Sequence, residues 1–201
     1  MTSVYRENYE KDVAFVEMFL DIHPNHKSRP AKEKEFIRMM AEEGELNVEQ
    51  MAEGMLPLLN PDLIRTNNAG MDYISRDPRL NLADVKTSTC SRRDKKRNGY
   101  IYDDYKGSIQ GVESKLGALL VIVYNEYTKR IDFFHIPYGA YNYGKDIPYY
   151  ERVSVNNTAR GKKTISYSYS RRNDTYSNNL ELYRCSLAEM LCIDDPELAD
   201  Y

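Results

Sequence analysis

Hydrophobic positions recur at two different periods along this chain. Val13, Val16 and Leu20 form one helical stripe within residues 4–20, with Phe15 and Phe19 beside it. Ser28 and Pro30 are start signals for a second helix, Gly44 is a stop, and Phe36, Ile37 and Met40 would face its core. Asn47-Val48-Glu49-Gln50 reads as a capping box for a third, short helix ending before Pro57. Beyond it the pattern becomes strand-like. Met71–Ser75 and Leu80–Thr87 are apolar-rich runs around Arg76-Asp77-Pro78-Arg79. Proline fixes φ there and aspartate can bond its own backbone, so a β-hairpin is predicted. Leu119–Tyr124 is a continuous apolar run, as in a strand buried on both faces. Residues 125–129 turn it back into Ile131–Ile136, a second hairpin.

The remaining segments read less sharply. Residues 90–108 are polar and turn-like, with Asp103 and Asp104 as turn residues, and Ser108–Leu116 reads as a short helix. Tyr138–Tyr150 reads as an ordered loop, and Thr164–Ser170 alternates as an exposed strand does. Ser186-Leu187-Ala188-Glu189 is a capping box for a final helix, and Asp194–Tyr201 is an acidic tail. The order helix, hairpin, helix, hairpin predicts an α/β fold: a mixed central sheet flanked by helices, with an added C-terminal β-ribbon and helix. One domain spans 1–201, with helices in 1–60, the sheet core in 61–137 and the ribbon in 138–201.

Composition narrows the partners. At 201 residues with 41% apolar and 29% charged positions, the chain suits an ordinary globular fold. A formal net charge of −3 gives no overall basic signature, so any nucleic-acid surface must come from local clustering. No apolar run approaches membrane-spanning length and no signal-peptide pattern opens the sequence, so a cytoplasmic protein without a membrane partner is expected. Cys90, Cys185 and Cys192 have neither a disulfide framework nor a zinc spacing, and His23, His26 and His135 have no ligand partner at helical spacing. Tyrosine is abundant, at 18 residues, and tryptophan is absent; such rings populate strand surfaces or stack on bases.

The chemistry concentrates at the first hairpin. Residues i and i+2 of a strand share a face, so Asp84 and Lys86 point one way and Val85 the other, into the core. In a pair centred near Pro78, Asp72 lies opposite Asp84, with Cβ atoms roughly 5 Å apart. Two carboxylates that close repel, and a hard divalent cation offsets the cost. Two carboxylates and a lysine on a twisted sheet suit metal-assisted phosphodiester hydrolysis. The tripeptide alone says little, because Asp/Glu-x-Lys occurs four times, at Asp84, Asp94, Asp104 and Glu113. Only the Asp84 copy lies inside an expected strand, just after another strand carrying an aspartate.

Asp72, eleven residues, then Asp84-Val85-Lys86-Thr87-Ser88 resembles the PD-(D/E)xK nuclease superfamily, which includes many type II restriction endonucleases. The resemblance covers roughly residues 30–137 and implies a restriction-endonuclease-like core: a helix, a three-stranded antiparallel meander, a helix and a further strand. It implies that Asp72 and Asp84 are metal ligands, that the Val85 carbonyl completes the metal shell, and that Lys86 orients or activates the attacking water. Mg²⁺ is the implied cofactor, with Mn²⁺ able to substitute, and the products carry 5′-phosphates. The literal Pro-Asp dipeptide is Pro61-Asp62, so Asp62 is a rival first carboxylate or a turn cap. Glu33 or Glu35 would be an accessory acid or solvated helix surface.

Two basic stretches extend this reading. Arg92, Arg93, Lys95, Lys96 and Arg97 follow the catalytic strand, as a phosphate-gripping loop or a solvated charge run. Lys162, Lys163, Tyr167, Tyr169, Arg171, Arg172 and Asn173 mark a C-terminal ribbon that would contact DNA or serve as a charged edge strand. Double-stranded DNA is the expected partner. Cutting both strands with one site per chain calls for a homodimer.

Overall fold

The structure, a computed structural model, describes residues 56, 57, 59–66 and 68–193. The expected N-terminal helices, with Glu33 and Glu35, and the acidic tail lie outside the described residues. The chain separates into two compact units, Met1–Pro61 and Asp62–Tyr201, and the architecture below is that of the second.

Ten strands are described: β1 Ile64–Arg65, β2 Tyr73–Ile74, β3 Asp84–Arg97, β4 Tyr100–Gln110, β5 Leu119–Asn125, β6 Arg130–Ile136, β7 Asn156–Asn157, β8 Lys163–Ser170, β9 Thr175–Tyr176 and β10 Arg184–Cys185. β1 and β2 form a small antiparallel pair. The other eight form one mixed sheet in the order β10-β6-β5-β3-β4-β8-β7, with β9 paired to β8. The α-helices of this unit that are described are single turns, α1 Tyr138–Tyr141 and α2 Leu187–Met190. The fold is α/β with a large mixed sheet. Among the described residues no helix is long and apolar enough to cross a membrane.

The hydrophobic run organises the sheet. Every residue of β5 is buried, so both its faces and both its edges need neighbours. β3 runs parallel on one edge, Asp84 against Leu119 through Cys90 against Asn125, and β6 runs antiparallel on the other. Leu119, Val121 and Val123 join Ile109, Val112, Phe134, Ile136 and Ile165 in one cluster, while Leu120 and Ile122 are buried on the opposite face. Each such side chain, fully buried, contributes about 1.5–3 kcal/mol.

This arrangement corrects the expected first hairpin. β2 pairs back to β1 rather than along β3: β5 occupies one edge of β3 over residues 84–90, and on the other edge the Val85 N–H meets the Asp72 side chain instead of a strand ladder. What survives is one close crossing: the N–H groups of Asp72 and Tyr73 both donate to the Ala83 carbonyl, at 2.9 and 3.0 Å. The expected turn chemistry does form at Asp77, whose Oδ1 accepts from the Arg79 N–H at 2.9 Å.

Three further segments differ from expectation. Residues 90–108 are not a loop but the body of a long β3–β4 hairpin, and Asp103 and Asp104 lie within β4. Its turn is Asn98-Gly99, with φ of 51° and 81°. Two positive φ values are what a primed two-residue turn requires, and Asn-Gly is its strongest sequence signal. Residues 108–110 continue β4, leaving only a 3₁₀ turn at Val112–Ser114 where a helix was expected. β8 is not an exposed strand: Ile165, Tyr167 and Tyr169 are buried in the core cluster. The Tyr167 hydroxyl donates to Ser88 Oγ at 2.7 Å, across the bare backbone of Gly107, where a Cβ would lie 2.2 Å from that hydroxyl oxygen. The second hairpin, β5–β6, and the capping box at Ser186 form as predicted.

Candidate active site

The start of β3 carries the site. The chain reaches it through Leu82 at φ 59°, and Leu82 presses its carbonyl onto Gly117, where a Cβ would lie only 2.3 Å away. The Asp84 N–H donates to the Ala118 carbonyl at 2.9 Å, locking the strand to the approach of β5. Asp84 faces β5 through its backbone, so Val85 faces the other way, and its N–H donates to Asp72 Oδ2 at 2.7 Å. N–H and C=O of one strand residue point to the same side, so the Val85 carbonyl also lies on the Asp72 side. Asp72 is itself fixed by its crossing over Ala83 and by the Thr66 N–H, which donates to the Asp72 carbonyl at 2.8 Å.

Asp84 is fully buried and meets two lysines. Lys86 Nζ lies 3.1 Å from Oδ2, and Lys115 Nζ donates to Oδ1. The Lys115 side chain is only 10% exposed. Despite these cations, burial raises the Asp84 carboxyl above its ordinary pKa; the lysines pull it down and the charge of Asp72 pushes it up. Asp84 Oδ2 is buried, and its contact with Lys86 is an ion pair rather than a directed hydrogen bond. Tyr141 from α1 closes the neighbourhood, its hydroxyl donating to the Gly117 carbonyl at 2.6 Å and its own ionisation pushed up by burial.

Asp72, Asp84, Val85 and Lys86 are therefore brought together. Asp62 is not part of this set: it is exposed in the turn before β1. Lys115 was not singled out from sequence, although it closes the Glu113-Ser114-Lys115 copy of the tripeptide. Only the close packing of the 3₁₀ turn beside β3 makes it a partner of Asp84.

A Mg²⁺ ion would find few protein ligands here. Among the described residues no three or more His, Cys, Asp or Glu side chains group as a metal cage. Mg²⁺ commonly takes one or two carboxylates and completes its shell with water and substrate phosphate. Asp72, Asp84 Oδ2, which now faces the Lys86 ammonium, and the Val85 carbonyl are the oxygens such an ion would use.

The expected DNA contacts divide. Arg93, Lys95 and Lys96 are exposed on the β3–β4 hairpin, and Lys162 and Lys163 are exposed at the start of β8. Arg172 and Asn173 are exposed in the turn after β8. Arg92 is instead paired with Asp103 at 2.7 Å and Asp94 at 3.2 Å. Arg171 lies over the rings of Tyr105 and Tyr127, with Asp103 at 3.7 Å. Tyr167 and Tyr169 point into the core, so their rings are not offered to a base. No family model, curated protein or solved structure matches the chain, and the site is read from its own chemistry.

Proposed function

We propose that this chain is a Mg²⁺-dependent endodeoxyribonuclease of the sequence-specific, type II restriction kind. The observation that carries the reading is the convergence of Asp72, Asp84 and Lys86 at the start of β3, with the Lys86 ammonium 3.1 Å from the buried Asp84 Oδ2. Asp72, Asp84 and the Val85 carbonyl would hold the cation, which when bound supplies positive charge for the phosphate and acidifies a water. Lys86 orients the attacking water and stabilises the charge that develops on the phosphate oxygens. Asp72 is aimed by the Val85 N–H, and buried Tyr141 is tied to the Gly117 carbonyl beside the site. The products carry 5′-phosphates. Double-stranded DNA is the substrate, and a homodimer delivers the second cut. Three unpaired cysteines suit the reducing cytoplasm.

A second reading has its own observation. Both Asp84 oxygens already face lysines, which is how a cluster kept for structure would neutralise a buried carboxylate. On that reading the chain binds DNA without cutting it. Plasmid and genomic DNA incubated with Mg²⁺ or EDTA separates the two. Discrete Mg²⁺-dependent fragments, reduced about 10²–10⁴-fold by Lys86→Ala, support the nuclease. A smear keeps the nuclease and removes the restriction assignment. Salt-sensitive binding without cleavage supports the binding module.

A further inference from the structure

The β3–β4 hairpin outruns its sheet. β5 leaves β3 at Cys90, and β8 leaves β4 at Tyr105. Beyond those points residues 93–97 and 100–104 pair only with each other, as a two-stranded ribbon. Its register assigns the faces, because directly opposed residues share one. Ser91, Arg93, Lys95 and Arg97 share a face with Lys106, Asp104, Tyr102 and Tyr100. Arg92, Asp94 and Lys96 share the other with Tyr105, Asp103 and Ile101.

The two faces differ in charge. The first carries four cations and one acid, and that acid is taken by Lys106 at 2.8 Å. Among the described residues no acid pairs with Arg93, Lys95 or Arg97. Tyr100 and Tyr102 stand among these cations, 71% and 53% exposed. The second face carries two cations and two acids; Arg92 bridges Asp94 and Asp103, and Arg171 braces Asp103 and Tyr105 at the root. A chain with net charge −3 thus presents one strongly basic, aromatic face on a projecting arm.

We propose that this ribbon enters the major groove of duplex DNA, with Arg93, Lys95 and Arg97 on phosphates or base edges and Tyr100 and Tyr102 packed against the groove wall. Strands about 4.8 Å apart with side chains make a body roughly 10 Å across, which matches a B-form major groove about 12 Å wide. The A-form groove of duplex RNA is too narrow for it. Arg92 and Arg171 hold the arm rather than the DNA. The inference rests on the DNA reading of the site above.

The test is fluorescence anisotropy with the full chain in EDTA, on a 30-base-pair DNA duplex, the matching RNA duplex and the single DNA strand. Arg93→Ala/Lys95→Ala/Arg97→Ala is compared with a charge-matched control, Lys129→Ala/Lys145→Ala/Arg160→Ala. The ribbon triple is expected to lose at least tenfold in DNA affinity. Its slope of log Kd against log salt falls by about 2–3, since each phosphate contact contributes about 0.9. The control stays within about threefold of wild type, and Tyr100→Ala/Tyr102→Ala also weakens binding. Unchanged melting temperatures show that each variant folds. Wild-type affinity in the ribbon triple overturns the proposal, as does preference for RNA or the single strand, or absence of wild-type binding. Ribbon-dependent binding without Mg²⁺ cleavage removes the nuclease and keeps the ribbon. Cleavage and binding indifferent to the ribbon triple do the reverse.

Discussion

At the scale of the residue, Asp84 decides how the site behaves. A fully buried carboxylate held by Lys86 and Lys115 is stable only while both partners stay. Lys115→Ala leaves Oδ1 buried and unpaired, and the expected loss is about 3 kcal/mol by urea denaturation, the lower end for a broken buried pair because Lys86 remains. The raised Asp84 pKa has a definite sign. The folded state keeps its proton at pH values where the unfolded state, near 3.8, has lost it. The stability Asp84 contributes is therefore greatest at low pH and falls as pH rises from about 4 through the raised folded value. The difference in unfolding free energy between wild type and Asp84→Asn should carry that slope, and a flat difference would contradict it. The sequence reading brought Asp72 to Asp84 by a hairpin pairing that does not form; Asp72 approaches instead through its bond from the Val85 N–H. Lys115 was not legible, because its approach depends on a packing 31 residues away.

At the scale of the element, the β5–β6 hairpin was legible because an uninterrupted apolar run has only one home. The β3–β4 hairpin was not, because its charged alternation mimics a loop; its one clear signal was Asn98-Gly99. β8 misled in the opposite direction. Its serines and tyrosines read as solvent-facing, but Tyr167 finds Ser88 for its hydroxyl and so tolerates burial. β6 carries a second pH response. His135 is largely buried, its Nδ1 3.2 Å from the Met190 carbonyl of α2, and burial lowers its pKa below 6.5. The unfolded chain binds a proton more readily, so this contribution is complete above pH 6.5 and is lost as pH falls from there through the lowered value. His135→Gln should flatten stability in that window, and chemical denaturation from pH 5 to 7.5 reads it.

At the scale of the whole molecule, the sheet has two working ends. Asp84, Lys86 and Lys115 sit at one, with the first residues of β5 and β8. The ribbon, Arg171 and Arg172 mark the other. A cation bound at the first end would stabilise the entire unit, by about 1.4 kcal/mol at tenfold excess over Kd. For a chain of this size Mg²⁺ should then raise Tm by about 3–5 °C. Asp84→Asn should abolish the shift, and an equal shift in that variant would place the cation elsewhere. The α/β class was legible from the chain, but the restriction-type core was not recovered as drawn: between β3 and β5 stand a strand and a 3₁₀ turn instead of a helix. One feature then sets a length. Lys86 and the ribbon cations at positions 93–97 belong to a single strand without a hinge between them. At about 3.3 Å per residue they stand roughly 23–36 Å apart. Their parity also differs: Asp84 and Lys86 look out from one face of β3, and Arg93, Lys95 and Arg97 from the other. Inserting one residue between positions 86 and 93 would therefore bring both sets onto one face, and a second inserted residue would part them again.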